Sequence, residues 1–226
     1  MATPRSGSEL LVELLDGQPG VRCHGELFKH PPRWPVRFLD GQAAMARARG
    51  SHVYGCKILG HDLSWHPHVY GGRAFIERLA GDGWQFIELQ RDDLFLQAVS
   101  LLEGVRRQLH HRVGDERDPH PVVIDPVELM SVMFSLEQES VFVSDVLSTV
   151  PHLAIRYESD LLEGEAQAAT VARIAARLGL GPADVRVRLQ RSGASVPLAQ
   201  RVANHDELLS VLAGTRFSRF LATPAA

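Results

Sequence analysis

The chain has 226 residues, 45% of them hydrophobic and 23% charged, ordinary values for a globular domain that buries a core of its own. With 24 Lys and Arg against 27 Asp and Glu the formal net charge is −3, so the concentrated basic face of a nucleic-acid binder is not expected. No apolar run approaches the ~20 residues that span a bilayer. The opening stretch MATPRSGSE lacks the apolar core of a secretory signal. The two cysteines, Cys23 and Cys56, lack CxxC spacing, which argues against a disulfide framework or a zinc site and for small buried residues in a reducing compartment. A cytoplasmic protein is the expectation.

Along the chain, Leu10, Leu11, Leu14 and Leu15 recur at helical spacing, which predicts a helix over 8–16 capped by Ser6 or Ser8 and stopped by Gly17 and Pro19. VYGCKIL at 53–59 reads as a short buried strand. A helix is expected over 72–80, then a strand at 84–89 (WQFIEL), then a long amphipathic helix carrying Leu94, Ala98, Leu101, Leu102, Val105 and Leu109. Residues 112–124 have the Gly, Pro and charge of a loop or hairpin. Asp125 and Pro126 are placed to cap and open the next helix, which runs toward Ser148. LAIRYE at 153–158 is a further strand, 165–178 a helix closed by Gly179, and Asn204 caps a last helix at 205–213. There is no internal repeat. Strands alternating with helices imply an α/β fold, three layers with a central parallel sheet flanked by helices. In such folds ligands sit at the carboxyl ends of the strands, which directs attention to the strand-to-helix turns.

The first such turn is Pro4-Arg5-Ser6-Gly7-Ser8, leading into the Leu10 helix. Gly7 lets the backbone approach an anion, the helix start offers free N–H groups, Arg5 adds a fork of donors, and Ser6 and Ser8 add hydroxyls. It is not a Walker A loop: GK[ST] is missing, as is an obvious carboxylate for Mg²⁺. Taken alone, the stretch reads equally well as a capped helix start.

Taken over residues 4–28, PRSGSELLVELLDGQPGVRCHGELF resembles the 5′-phosphosulfate loop of PAPS-dependent sulfotransferases, above all bacterial carbohydrate enzymes of the nodulation-factor and trehalose type. The likeness lies in the PRSGS loop, the leucine-rich helix and the Gly25-Glu26 dipeptide, in that order. FIELQRDDLFLQAVSLL at 86–102 resembles the family's 3′-phosphate motif, with Arg91 ending a strand and Ser100 about seven residues into the next helix, ~10 Å along its axis. The C-terminal stretch 196–221 also resembles these enzymes, and Arg191, in the loop before it, is implied as a donor contact. The likeness is thin over 29–52 and 103–150. The family has a hydrophobic strand before the loop, whereas Pro4 follows Met1 closely here, so either that strand is shortened or the start lies upstream. Relatives often carry Thr where this chain has Glu9, so only the backbone N–H of Glu9 is expected to face the donor.

The resemblance implies a P-loop-like single domain over 1–226, with 103–150 a helical substrate-binding insertion. It implies transfer of a sulfuryl group from PAPS, as co-substrate and without a metal, to the hydroxyl of a sugar or other small metabolite. Glu26 is implied as general base; its other reading is a helix cap or a partner of Arg22. Lys57, inside an apolar strand where an unpaired ammonium is costly, is implied to neutralise the bridging oxygen of PAPS. Its other reading is an edge lysine that snorkels to water. His61 rivals Glu26 as the base. His66, His68, His110 and His111 have no Cys or HExxH partners that would support a metal. The alternatives are a P-loop kinase-like phosphotransferase and a non-catalytic nucleotide-binding domain. The acceptor and the oligomeric state, a homodimer included, stay open.

Overall fold

The computed structural model describes residues 1–29, 32–65, 71–107, 121–181 and 196–222. It is a mixed α/β structure, 61% helical, with small parallel sheets. The chain divides into two compact units, Met1–Asp92 with Glu139–Leu189, and Asp93–Gln138 with Gln190–Ala226.

In the first unit α1 (Ser8–Asp16) precedes β1 (Val21–Glu26), which pairs in parallel with β2 (Val53–Lys57). β3 (Phe86–Gln90) pairs in parallel with β4 (His152–Arg156). Parallel neighbours need long crossovers, and helices supply them. α2 (Pro35–Ala48) joins β1 to β2, and α3 (Gly60–Trp65) with α4 (Gly72–Gly81) joins β2 to β3. α5 (Leu94–Arg106) and the long α6 (Pro126–Leu147) lie between β3 and β4, and α7 (Gly164–Arg177) follows. The main chain of Met1 and Ala2 links the two strand pairs. Ala2 bridges in parallel to both Leu59 and Leu89; its N–H donates to Ile58 O at 3.2 Å, and Leu89 N–H donates to Met1 O at 2.9 Å.

Successive residues of this segment enter different cores, as a period of two requires. Ile58 and Phe86 pack with Phe28, Leu39, Ile76 and Leu79. Leu59 and Leu89 pack with Leu11, Leu14, Ile155 and Ile174. A cavity of ≈ 590 Å³ opens between β2 and β3, walled by Val53, Cys56, Phe86 and Ile87 and by Leu11 and Leu39 from the two cores. Its walls reach Ser8 and Lys57 but not Arg5, Ser6, Gly7, Glu26 or His61.

In the second unit, α5, the first part of α6 and α9 (His205–Ala213) bury Leu94, Ala98, Leu102, Met133 and Leu212 together. The expected cap of α6 forms, and α5 has one as well. Asp93 accepts from Leu96 N–H at 2.8 Å and Asp125 from Val127 N–H at 2.7 Å. Asn204 departs from expectation. It stands at the N-cap of α9 but accepts from no main-chain N–H of that helix; its Nδ2 donates to the Glu207 side chain at 2.9 Å. Its amide is used on Ile124 instead, accepting from the N–H at 3.0 Å and donating to the C=O at 2.8 Å, in place of a strand partner.

Candidate functional site

The turn that opens α1 carries two left-handed residues, Arg5 at φ 59 and Gly7 at φ 91. A non-glycine residue held there costs of order 1–2 kcal/mol and marks a backbone shaped by something other than propensity. The N-cap of α1 is Gly7, not Ser6 or Ser8, and no side chain caps the helix. Ser6 is fully buried and its hydroxyl donates to Thr3 O at 2.8 Å, so it holds the turn together. The N–H groups of the first helical turn therefore have no side-chain acceptor from the cap position, the property that makes a helix start attractive to anions. Glycine is required at position 7 for a second reason. A Cβ would stand 2.4 Å from Cδ2 of Tyr157, which begins a single π-helical turn, Tyr157–Leu161, directly after β4.

Arg91, just past β3, lies against the same turn. Its Nη1 donates to Arg5 O at 3.0 Å and its guanidinium stacks 4.8 Å above the Tyr157 ring. Glu158 approaches Arg91 Nε at 3.8 Å and accepts from Asp92 N–H at 2.9 Å. The arginine that the resemblance implies for the 3′-phosphate thus braces the turn before α1. Nothing in the sequence pointed to Tyr157 or Glu158; they arrive through the pairing of β4 with β3.

Lys57 closes β2 with its side chain buried and its ammonium between two carboxylates. Nζ is 2.9 Å from Glu26 Oε1 and also donates to Glu9. The buried lysine therefore has the anionic partners its position demands. Glu26 pairs with Lys57 rather than Arg22, which holds Asp16 at 3.2 Å. The register explains the Gly-Glu dipeptide. β1 and β2 run in step from Val21↔Val53 to His24↔Cys56 and then slip, so that Glu26, not Gly25, faces Lys57. Bulges of this kind re-aim side chains beside functional sites. A Cβ on Gly25 would meet no atom within 4 Å, so the extra residue matters and not the absence of a side chain. Gly25→Ala is expected to leave the melting temperature close to wild type, while deletion of Gly25 abolishes the Lys57–Glu26 contact and lowers the melting temperature by several degrees.

Burial by itself pushes the Glu26 carboxyl up; the hydrogen bond and charge of Lys57, with Lys29 and His61 adding, outweigh it and hold the group below its usual value. Glu26 is therefore ionised at neutral pH. Its stabilising contribution is complete above the ordinary carboxylate range and is lost as pH falls through the lowered value.

His61, the second residue of α3, leans on α6. Its main-chain N–H donates to Glu139 Oε1 at 2.9 Å, and Nδ1 lies 3.1 Å from the same oxygen. The hydrogen bond to Glu139 raises the imidazole above its usual value against the opposing effect of burial, with the charges of Glu139, Asp62 and Glu26 adding to the rise. Glu139 carries no sequence signal. It sits within a run of α6 whose only legible feature was its cap.

The remaining expected residues fall outside this constellation. Ser8 is buried at the start of α1. Ser100 lies on α5 in the second unit. Arg191, His66, His68, His110 and His111 lie outside the described residues. Cys23 and Cys56 are held by burial as thiols, each pushed up to about 12, and form no disulfide. Among the described residues no group of three His, Cys, Asp or Glu could hold a metal, and no helix is long and apolar enough to cross a membrane. No protein-family model matches the chain, and no curated protein matches it.

Proposed function

We propose that this chain is a PAPS-dependent sulfotransferase acting on the hydroxyl of a sugar or other small metabolite, with a P-loop-like three-layer fold. The parallel pairings, the link through Ala2 and the separate cores of Ile58 and Leu59 support the fold reading. The observation that carries the function is the position of Lys57. From the end of β2 it touches Glu9, in the first turn behind the Gly7 loop, and Glu26, at the end of β1. Loop, cation and carboxylate thus meet at the carboxyl ends of parallel strands, where the ligand of such a fold belongs.

In this reading the Gly7 turn and Arg5 hold the 5′-phosphosulfate of the donor. The acceptor oxygen forms a bond to sulfur as the bond from sulfur to the bridging oxygen breaks, and the electron pair stays on the departing 5′-phosphate. Lys57 and the loop N–H groups meet that growing charge. The hydroxyl proton passes to a base at the same edge, for which Glu26 and His61 are the candidates. The protein's contribution is chiefly position and charge, as in phosphoryl transfer.

Calorimetry with PAP, in the absence of Mg²⁺, tests the reading directly. Binding heat is expected, and its absence from well-folded protein overturns the assignment. Arg91→Ala should weaken both PAP and adenosine 5′-phosphosulfate, because the loop loses its brace, and weaken PAP the more if Arg91 also meets the 3′-phosphate. Equal losses would confine Arg91 to the loop.

A further inference from the structure

His61 and Glu139 form a pair that the Gly-Glu motif does not include. Three features build it. One carboxylate oxygen of Glu139 receives both the main-chain N–H and the ring Nδ1 of His61, which fixes the imidazole against α6 at two points. Gly60 makes the approach possible: a Cβ there would stand 2.5 Å from Glu139 Cγ and 2.9 Å from its Oε1. Glu139 is largely enclosed while the His61 side chain remains 44% exposed, so the anchor is shielded and the ring is open to solvent. Because a carboxylate only accepts, Nδ1 carries the hydrogen and Nε2 is left as the accepting nitrogen.

We propose that Glu139 is a positioning residue that holds His61 with Nε2 free to take the acceptor's hydroxyl proton, and that this pair, rather than Glu26, is the base of the transfer. The inference rests on the sulfotransferase reading. Glu26 is then the clamp of Lys57: its Oε1 is already engaged at 2.9 Å, and its proton affinity is reduced by that cation. A base is most effective when its proton affinity lies near the working pH, and the charges around His61 move it in that direction. They are Glu139 from α6, Asp62 of its own helix with Oδ1 3.9 Å from Nε2, and Glu26 from β1.

The experiment has two arms. In the first, the ring resonances of His61 are titrated by NMR in the protein without ligand. Glu139→Gln removes the charge that favours the imidazolium, so the midpoint falls. Gly60→Ala displaces the carboxylate without altering any charge and should move the midpoint the same way. An unmoved midpoint in both folded variants overturns the pair, whatever the enzyme does. In the second arm, kcat/KM for PAPS-dependent transfer is followed against pH. The acid limb should move to lower pH in Glu139→Gln and by less in Glu26→Gln, whose charge is the smallest of those raising His61, and His61→Ala should lose about 10²-fold or more. Loss of the limb in Glu26→Gln with full activity in His61→Ala returns the role of base to Glu26. A shifted NMR midpoint in a protein that neither binds PAP nor transfers sulfate leaves the pair standing and overturns its role in the transfer.

Discussion

Lys57→Met is expected to lower single-turnover transfer by about 10²–10³-fold, the usual cost of removing one group aimed at charge that develops in the transition state. The stability effect should be smaller than the ~3–5 kcal/mol of breaking a fully buried ion pair. Lys57 itself is buried, but Glu9 and Glu26 keep part of their water, with 56% and 35% of their side chains exposed. The variant also has a pH signature. Without the lysine, burial acts on Glu26 unopposed by its largest counterweight, so its carboxyl rises. The acid loss of stability that Glu26 contributes in wild type should therefore disappear in Lys57→Met, because protonation now relieves a partly buried carboxylate without its lysine; urea midpoints measured from neutral pH downward should fall less steeply in the variant than in wild type. Lys57→Met with Glu26→Gln should regain stability without regaining turnover. Transfer within a few-fold of wild type in the single variant would remove Lys57 from the chemistry.

Gly7→Ala is expected to abolish PAP heat in calorimetry and to destabilise the fold by about 2 kcal/mol or more. Two costs combine: the left-handed φ of 91, about 1–2 kcal/mol for a residue with a Cβ, and the contact with Tyr157 Cδ2 at 2.4 Å. The ring does not yield cheaply, because Arg91 stacks on it and the same arginine donates to Arg5 O. Displacing Tyr157 thus disturbs the loop from the other side. The two contributions separate in a double-mutant cycle. Adding Tyr157→Ala should restore the steric part of the stability and leave the backbone part lost. Wild-type melting temperature and PAP affinity in Gly7→Ala would show that the turn is not the anion cradle.

Local signals carried much of the secondary structure. The leucines of α1, the Asp125-Pro126 opening of α6, the apolar strand expected at 53–59 and the Gly179 stop after α7 are all short-range chemistry, and each element formed within a residue or two of its expected bounds. β1 was not legible as a strand. VRCHGE has too little apolar surface to declare itself, and becomes a strand because β2 lies alongside to complete its ladder. The Ser6 cap failed for a similar reason, since Thr3 O, brought close by the turn, takes the hydroxyl that a cap would use. Asn204 has the residue type of a cap, yet Ile124, eighty positions earlier in the chain, offers its amide a better-matched donor and acceptor.

The sequence by itself determined which chemical groups the candidate site has to work with: a glycine-bearing turn before a helix, a lysine buried in a strand, a glutamate after a glycine and an arginine after a second strand. Their residue types and near neighbours are enough for that, because turn geometry and the cost of burying charge are local. How these groups are joined is set by long-range packing. The slipped register that sets Glu26 on Lys57, the Tyr157 ring over Gly7 and the Glu139 carboxylate behind His61 all depend on elements separated by tens of residues. Such contacts follow from strand pairing and helix packing, and no short window of sequence encodes them.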